Sequence, residues 1–143
     1  MFTFDGVPLL YNGQEVGDVT ESGAPALFEK MPVFWQGVER RPEFAAFYKQ
    51  VIPLRRDHAA LRQGATVWLR NSDEDRVVAY LRQDTKEEFL VTINLSNRPF
   101  RGTVEAAGSG FTELTPDADA SRPVGLPALA LEAWGIRLFR RDR

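Results

Sequence analysis

The spacing of hydrophobic residues changes three times along this chain, and each change predicts a different element. Val7-Pro8-Leu9-Leu10-Tyr11 is an unbroken apolar run closed by Asn12-Gly13. A short continuous run bounded by turn residues predicts a strand buried on both faces, as in a parallel sheet, over about 6–11. Pro8 argues against a central ladder position, since it has no N–H to donate. From Gln14 to Gln36 the periodicity is lost. Gly17, Ser22, Gly23, Pro25 and Pro32 punctuate this stretch, so 12–41 reads as a long loop. A loop of that length is either functional or a sign that part of the fold lies elsewhere.

A helical period follows. Phe44, Phe47, Val51, Leu54 and Leu61 recur at spacings of three, four and three, then seven through His58. That places them on one face of a helix over about 42–62. Pro42 suits the first helical turn and Gly64 the stop. Pro53 lies inside and predicts a kink, because it removes the bond to the carbonyl of Lys49. His58 falls on the apolar stripe and reads as a packed structural histidine.

After Gly64 the pattern becomes that of strands. Thr66 to Leu69, Arg76 to Gln83 and Glu88 to Leu95 are rich in β-branched and aromatic residues. Asn71 to Asp75, Asp84 to Glu88 and Ser96 to Pro99 separate them as polar turns. Phe100 to Glu105, Phe111 to Thr115, Ala128 to Leu131 and Ile136 to Arg140 complete about seven short strands. The Pro- and Asp-rich stretch from Pro116 to Pro127 reads as a surface loop. Such spacing predicts an antiparallel sandwich or open barrel. The fold class is therefore α+β: a mainly antiparallel β-sandwich preceded by one strand, a long loop and one long helix. The division falls at 1–63 and 64–143. A lone parallel-type strand has no partner in this chain, so the pattern predicts the end of a larger fold.

Composition sharpens this by exclusion. The chain has 143 residues, no Cys and a single His. That removes disulfides, thiol nucleophiles and His-rich metal clusters, so no metal and no cofactor are expected. Lys30, Lys49 and Lys86 are the only lysines among 18 basic residues, and 20 acidic ones outnumber them. The charge is spread rather than striped, which argues against a nucleic-acid surface. No run approaches the ~20 apolar residues of a membrane span. The N-terminus lacks a signal-peptide pattern, and the compartment is left undetermined.

Few residues offer chemistry. Retaining glycoside hydrolysis needs two carboxylates about 5 Å apart. Glu15, just past the apolar run, is the only acid placed where a barrel active site would form. Asp73, Glu74 and Asp75 lack the Gly and Glu spacing of a calcium loop and read as a solvated turn. His58 has no nucleophile elbow near it. Tyr11, Phe28, Phe34 and Trp35 read as docking side chains for the long loop, ahead of sugar stacking. Trp68, Tyr80 and Trp134 on the predicted strands read as core, ahead of an exposed aromatic platform.

Four segments together resemble the alpha-amylase family of glycoside hydrolases. Gly6-Val7-Pro8-Leu9-Leu10-Tyr11-Asn12-Gly13-Gln14-Glu15-Val16-Gly17 is similar to that family's eighth barrel strand and the turn after it. Leu27 to Trp35 resembles the loop before its last helix. Phe44 to Gly64, above all Leu54-Arg55-Arg56-Asp57-His58-Ala59-Ala60-Leu61-Arg62-Gln63-Gly64, resembles that helix and its exit. Val78-Ala79-Tyr80-Leu81-Arg82 and Phe89 to Ser96 resemble the first strands of its C-terminal β-domain. The resemblance covers nearly the whole chain.

The resemblance implies a C-terminal portion of a hydrolase acting on α-linked glucans or malto-oligosaccharides. Residues 1–63 would close a (β/α)₈ barrel, and 64–143 would form the C-terminal β-domain. It also implies that the catalytic carboxylates lie on earlier strands, so that no catalytic residue falls in this chain and the chain alone is inactive. Asn12, Gly13, Gln14 and Glu15 carry over as a wall of the substrate pocket. Gly13 permits a tight turn, while Gln14 and Glu15 offer polar groups to neighbouring loops. The upstream barrel is the implied partner, and the isolated chain is expected to self-associate through the surface the barrel would cover. The loop lacks the Asp-Pro…Arg pattern of many maltogenic and cyclodextrin-hydrolysing members. The alternative function is a non-catalytic carbohydrate-binding β-sandwich module.

Overall fold

Glu87–Asn94 (β3) is the strand around which the chain is organised. In a computed structural model describing residues 1–19, 30–107, 109–116, 118 and 124–143, it pairs antiparallel on both sides. Val77–Gln83 (β2) flanks it on one side and Ile136–Asp142 (β7) on the other. Ala65–Trp68 (β1) joins β2 at one edge, and Thr112–Glu113 (β5) joins β7 at the other. The five-stranded sheet runs β1-β2-β3-β7-β5. Phe100–Thr103 (β4) and Ala128–Leu131 (β6) form a separate two-stranded sheet. All seven strands fall where the sequence pattern places them.

The large sheet is buried on both faces. On one face Val77, Ala79, Leu90 and Phe139 pack with Phe100, Leu129 and Leu131 of the small sheet. On the other, Tyr80, Phe89, Val91 and Leu138 pack with Ala60 and Leu61. Leu81, Leu90 and Phe139 share one row of the ladder, and Tyr80, Val91 and Leu138 the next. Successive side chains point to opposite faces, so these rows feed opposite cores. The buried Glu113–Arg137 pair, with Nε to Oε1 at 2.9 Å and Nη2 to Oε2 at 2.5 Å, ties the short β5 to β7. Its fork geometry supplies two parallel bonds where β5 has few ladder bonds of its own.

The predicted helix is two helices. Pro42–Asp57 (α2) runs through Pro53, and Ala59–Gln63 (α3) follows. The break falls at His58, whose backbone is extended (φ −111°, ψ 113°), not at Pro53. The cause is tertiary. The His58 ring leaves the helical path to meet Glu87 at 2.8 Å and to sit edge-on to Phe89 at 4.8 Å between centroids. A one-turn helix, Gly37–Arg40 (α1), precedes α2 inside the stretch read as loop.

The strand predicted over 6–11 is absent: residues 7–11 form no ladder, and Val7 and Leu9 are 95% and 78% exposed. A parallel strand exists only through bonds to neighbours, and none of the seven strands pairs with it. The loop readings over 20–29 and over half of 116–127 lie outside the described residues.

A candidate pocket wall: the Asn12–Gly17 turn

Gly13 and Gly17 bracket a single 3-10 turn, Gln14–Val16, and both are left-handed (φ 94° and 63°). Only glycine takes that conformation without a steric penalty. Backbone bonds close the unit: Gln14 N–H donates to Tyr11 O at 3.0 Å, Val16 N–H to Gly13 O at 3.2 Å, and Asp18 N–H to Gly13 O at 3.0 Å. Val16 is buried beneath the turn. A side chain on Gly37 would run into the Val16 carbonyl, so glycine there lets the start of α1 seat against the turn.

The polar side chains fold back on their own backbone. Glu15 Oε2 accepts from Gly13 N–H at 3.0 Å, and Gln14 Oε1 accepts from Tyr11 N–H at 3.2 Å. Burial, and then the negative charge of Glu15, raise the Tyr48 phenol above its ordinary value, with a Gln14 hydrogen bond opposing them. Tyr48 on α2 is itself buried, so the turn rests on the helix through this ring. Asn12 is exposed at the mouth of the turn. The four residues singled out by sequence therefore lie together on one hydrogen-bonded, polar-faced turn.

Just past the turn lies a cavity of about 470 Å³ walled by Val16, Gly17, Asp18, Phe34, Gly37 and Arg41, among others. Asp18 Oδ2 accepts from Phe34 N–H at 3.2 Å and holds the far wall in place. The loop aromatics expected to dock keep about half of their surface in solvent: Tyr11, Phe34 and Trp35 are 48%, 51% and 57% exposed, and Phe28 lies outside the described residues. Among the described residues no group of three or more His, Asp or Glu side chains is placed to hold a metal ion. No described helix is long and apolar enough to cross a membrane.

Sequence reasoning missed the residue that anchors the segment leading into this turn. Arg55 on α2 is buried and donates to three carbonyls: Phe2 O at 2.8 Å, Phe4 O at 2.9 Å and Gly6 O at 2.5 Å. Its position seven residues after Tyr48 and four after Val51, both buried, was the available signal. The aromatic readings also divide. Tyr80 is core, but Trp68 and Trp134 are 60% and 67% exposed.

No protein-family model matches the chain. Individual proteins do. It is 34% identical over 144 positions to a cyclomaltodextrinase of Geobacillus thermopakistaniensis, covering 92% of this chain and 24% of that protein. A cyclomaltodextrinase of a Bacillus species is 38% identical over 93 residues, covering 65% of this chain and 16% of that protein. In fold, the chain matches the trehalose-6-phosphate hydrolase of Bacillus licheniformis with a TM-score of 0.60 at 17% identity, over 80% of this chain and 22% of that one. The chain thus spans between about a sixth and a quarter of the length of these relatives. It belongs to the alpha-amylase family of glycoside hydrolases, matching the C-terminal region of the family's enzymes.

Proposed function

We propose that this chain serves as the C-terminal part of a glycoside hydrolase that acts on α-linked glucans or malto-oligosaccharides by double displacement. The observation that carries the reading is the extent of one alignment. The match to a cyclomaltodextrinase runs along 92% of this chain but takes up 24% of that enzyme. On this reading the two reacting carboxylates lie in preceding barrel segments, and none is supplied here. Residues 1–63 complete the barrel, and 64–143 form the β-domain that braces it. Asn12, Gly13, Gln14 and Glu15 form part of the pocket wall, with Gly13, Gln14 and Glu15 tied by hydrogen bonds within the turn and Asn12 exposed beside them. The relatives named cyclomaltodextrinase share their sequence with a chain lacking the Asp-Pro…Arg pattern, so the substrate is kept at the level of α-linked glucan.

The exposed Val7, Leu9, Trp35 and Ile52 fit the same reading, as apolar surface for a preceding barrel to cover. The test joins the barrel segment of a cyclomaltodextrinase in front of this chain. The joined protein is expected to release reducing sugar from maltoheptaose, and the 143-residue chain alone to release none. Asn12→Ala in the joined protein is expected to raise KM more than it lowers kcat. Sugar release by the isolated chain would overturn the reading. Light scattering of the isolated chain is expected to show concentration-dependent self-association, which the joined protein loses.

A further inference from the structure

Trp134 has a left-handed backbone (φ 56°), the only non-glycine residue with positive φ among the described residues. That conformation is costly for a bulky side chain. At the five other described positions where φ is positive the chain places glycine. Here it places its largest residue and leaves it 67% exposed. No contact of the indole with another aromatic ring or with a cationic side chain occurs among the described residues.

The backbone around it is clamped from two sides. Trp134 N–H donates to Ser96 O at 2.9 Å, Gly135 N–H to Glu132 O at 3.0 Å, and Asn94 N–H to Gly135 O at 2.8 Å. The buried Asn94 amide bridges both turns. Its Nδ2 donates to Arg98 O at 2.7 Å and Glu132 O at 2.8 Å, and its Oδ1 accepts from Ser96 N–H at 3.1 Å and Oγ at 2.8 Å. The indole is thus presented to solvent by a fixed frame. A strained backbone held in place by its surroundings beneath an exposed ring points to a ligand.

We propose that Trp134 is a stacking platform for a pyranose ring of an α-linked glucan, separate from the Asn12–Glu15 turn. The α-linkage rests on the function proposed above; the platform itself rests on the geometry. A flat indole with two torsions suits the apolar C–H face of a sugar at small entropic cost. Leu95, 57% exposed, precedes Ser96, whose carbonyl accepts the Trp134 N–H. The exposed Asn97, Arg98 and Glu132 belong to the same two turns and offer donors and acceptors for ring hydroxyls. One indole and one leucine fall far short of the roughly 1,000 Å² that a protein partner needs. Trp68 differs, because its ring is engaged by Phe4 at 5.8 Å and Tyr80 at 5.4 Å.

The test is calorimetric titration of the 143-residue chain with maltoheptaose and with cellohexaose, repeated for Trp134→Gly and Trp68→Phe. Glycine suits the backbone at 134, so that variant keeps the fold; its circular dichroism and melting are measured alongside. Wild type and Trp68→Phe are expected to bind maltoheptaose with a millimolar midpoint and to quench in tryptophan fluorescence. Trp134→Gly is expected to bind roughly tenfold more weakly or not at all. Undetectable binding in wild type, or an unchanged midpoint in a folded Trp134→Gly, would overturn the platform. Equal binding of cellohexaose would overturn the α-glucan assignment. The sugar-release assay with the joined barrel does not depend on this site, so the two readings fail separately.

Discussion

His58 Nδ1 lies 2.8 Å from Glu87 Oε2, and the pair joins the break between α2 and α3 to the first residue of β3. Arg140 Nε donates to the same oxygen at 2.7 Å. With Glu87 ionised, His58 carries its proton on Nδ1. One carboxylate therefore fixes the direction in which the helices leave the sheet.

The pH dependence of that joint follows from Glu87. Burial works to raise its pKa, but the hydrogen bonds from Arg140 and His58, and their charges, outweigh it and hold the carboxyl below its ordinary 4.5. A depressed folded-state pKa contributes stability that is fully present above the unfolded value and is lost as pH falls through the lower folded one. Glu87→Gln is expected to cost about 1–3 kcal/mol near neutrality. Melting curves taken from neutral pH down to about 3 should show the gap to wild type closing below the ordinary carboxylate range. A gap that widens on acidification would contradict this account.

Arg55 should govern the segment before the Asn12–Gly17 turn. Arg55→Leu keeps the aliphatic bulk and removes the donors to Phe2, Phe4 and Gly6. The expected loss is about 2 kcal/mol, with the freed segment cleaved faster by chymotrypsin at Phe2 and Phe4. Amide exchange in β2 and β3 should stay slow. An unchanged cleavage rate would show that the aromatic contacts of Phe2 and Phe4 suffice by themselves.

The two faces of β3 should separate experimentally. Phe89→Ala is expected to cost about 3–5 kcal/mol and Leu90→Ala about 2–5 kcal/mol by urea denaturation. The first opens the core shared with Leu61, so exchange should quicken in α3. The second opens the core shared with Phe100 and Leu131, so it should quicken in β4 and β6. Identical exchange patterns in the two variants would mean that the faces do not unfold as distinct units.

Much of the β region was legible in advance because its information is local. Alternation and turn residues depend on near neighbours, and all seven strands appear in place. The Asn12–Gly17 turn was legible for a similar reason: Gly13 and Gly17 declare their backbone geometry by lacking a side chain. The joint at His58 was not. Its cause, Glu87, lies 29 residues away, and a helical stripe contains no record of what the helix will meet. Arg55 was hidden for a related reason, since an arginine looks solvent-exposed until its partners are known to be carbonyls.

By itself the sequence determined the family, the antiparallel ladder and the glycine-bracketed turn, because motif order and short periodicities survive without knowledge of distant contacts. Tertiary structure alone decided three things. Residues 7–11 form no strand, since pairing needs a neighbour. Tyr80 is core while Trp134 stands in solvent, since aromatic character says nothing about which ring finds a cover. The helix breaks at His58 rather than at Pro53, since a side-chain bond to Glu87 and a contact with Phe89 outweigh the continuation of one helical turn.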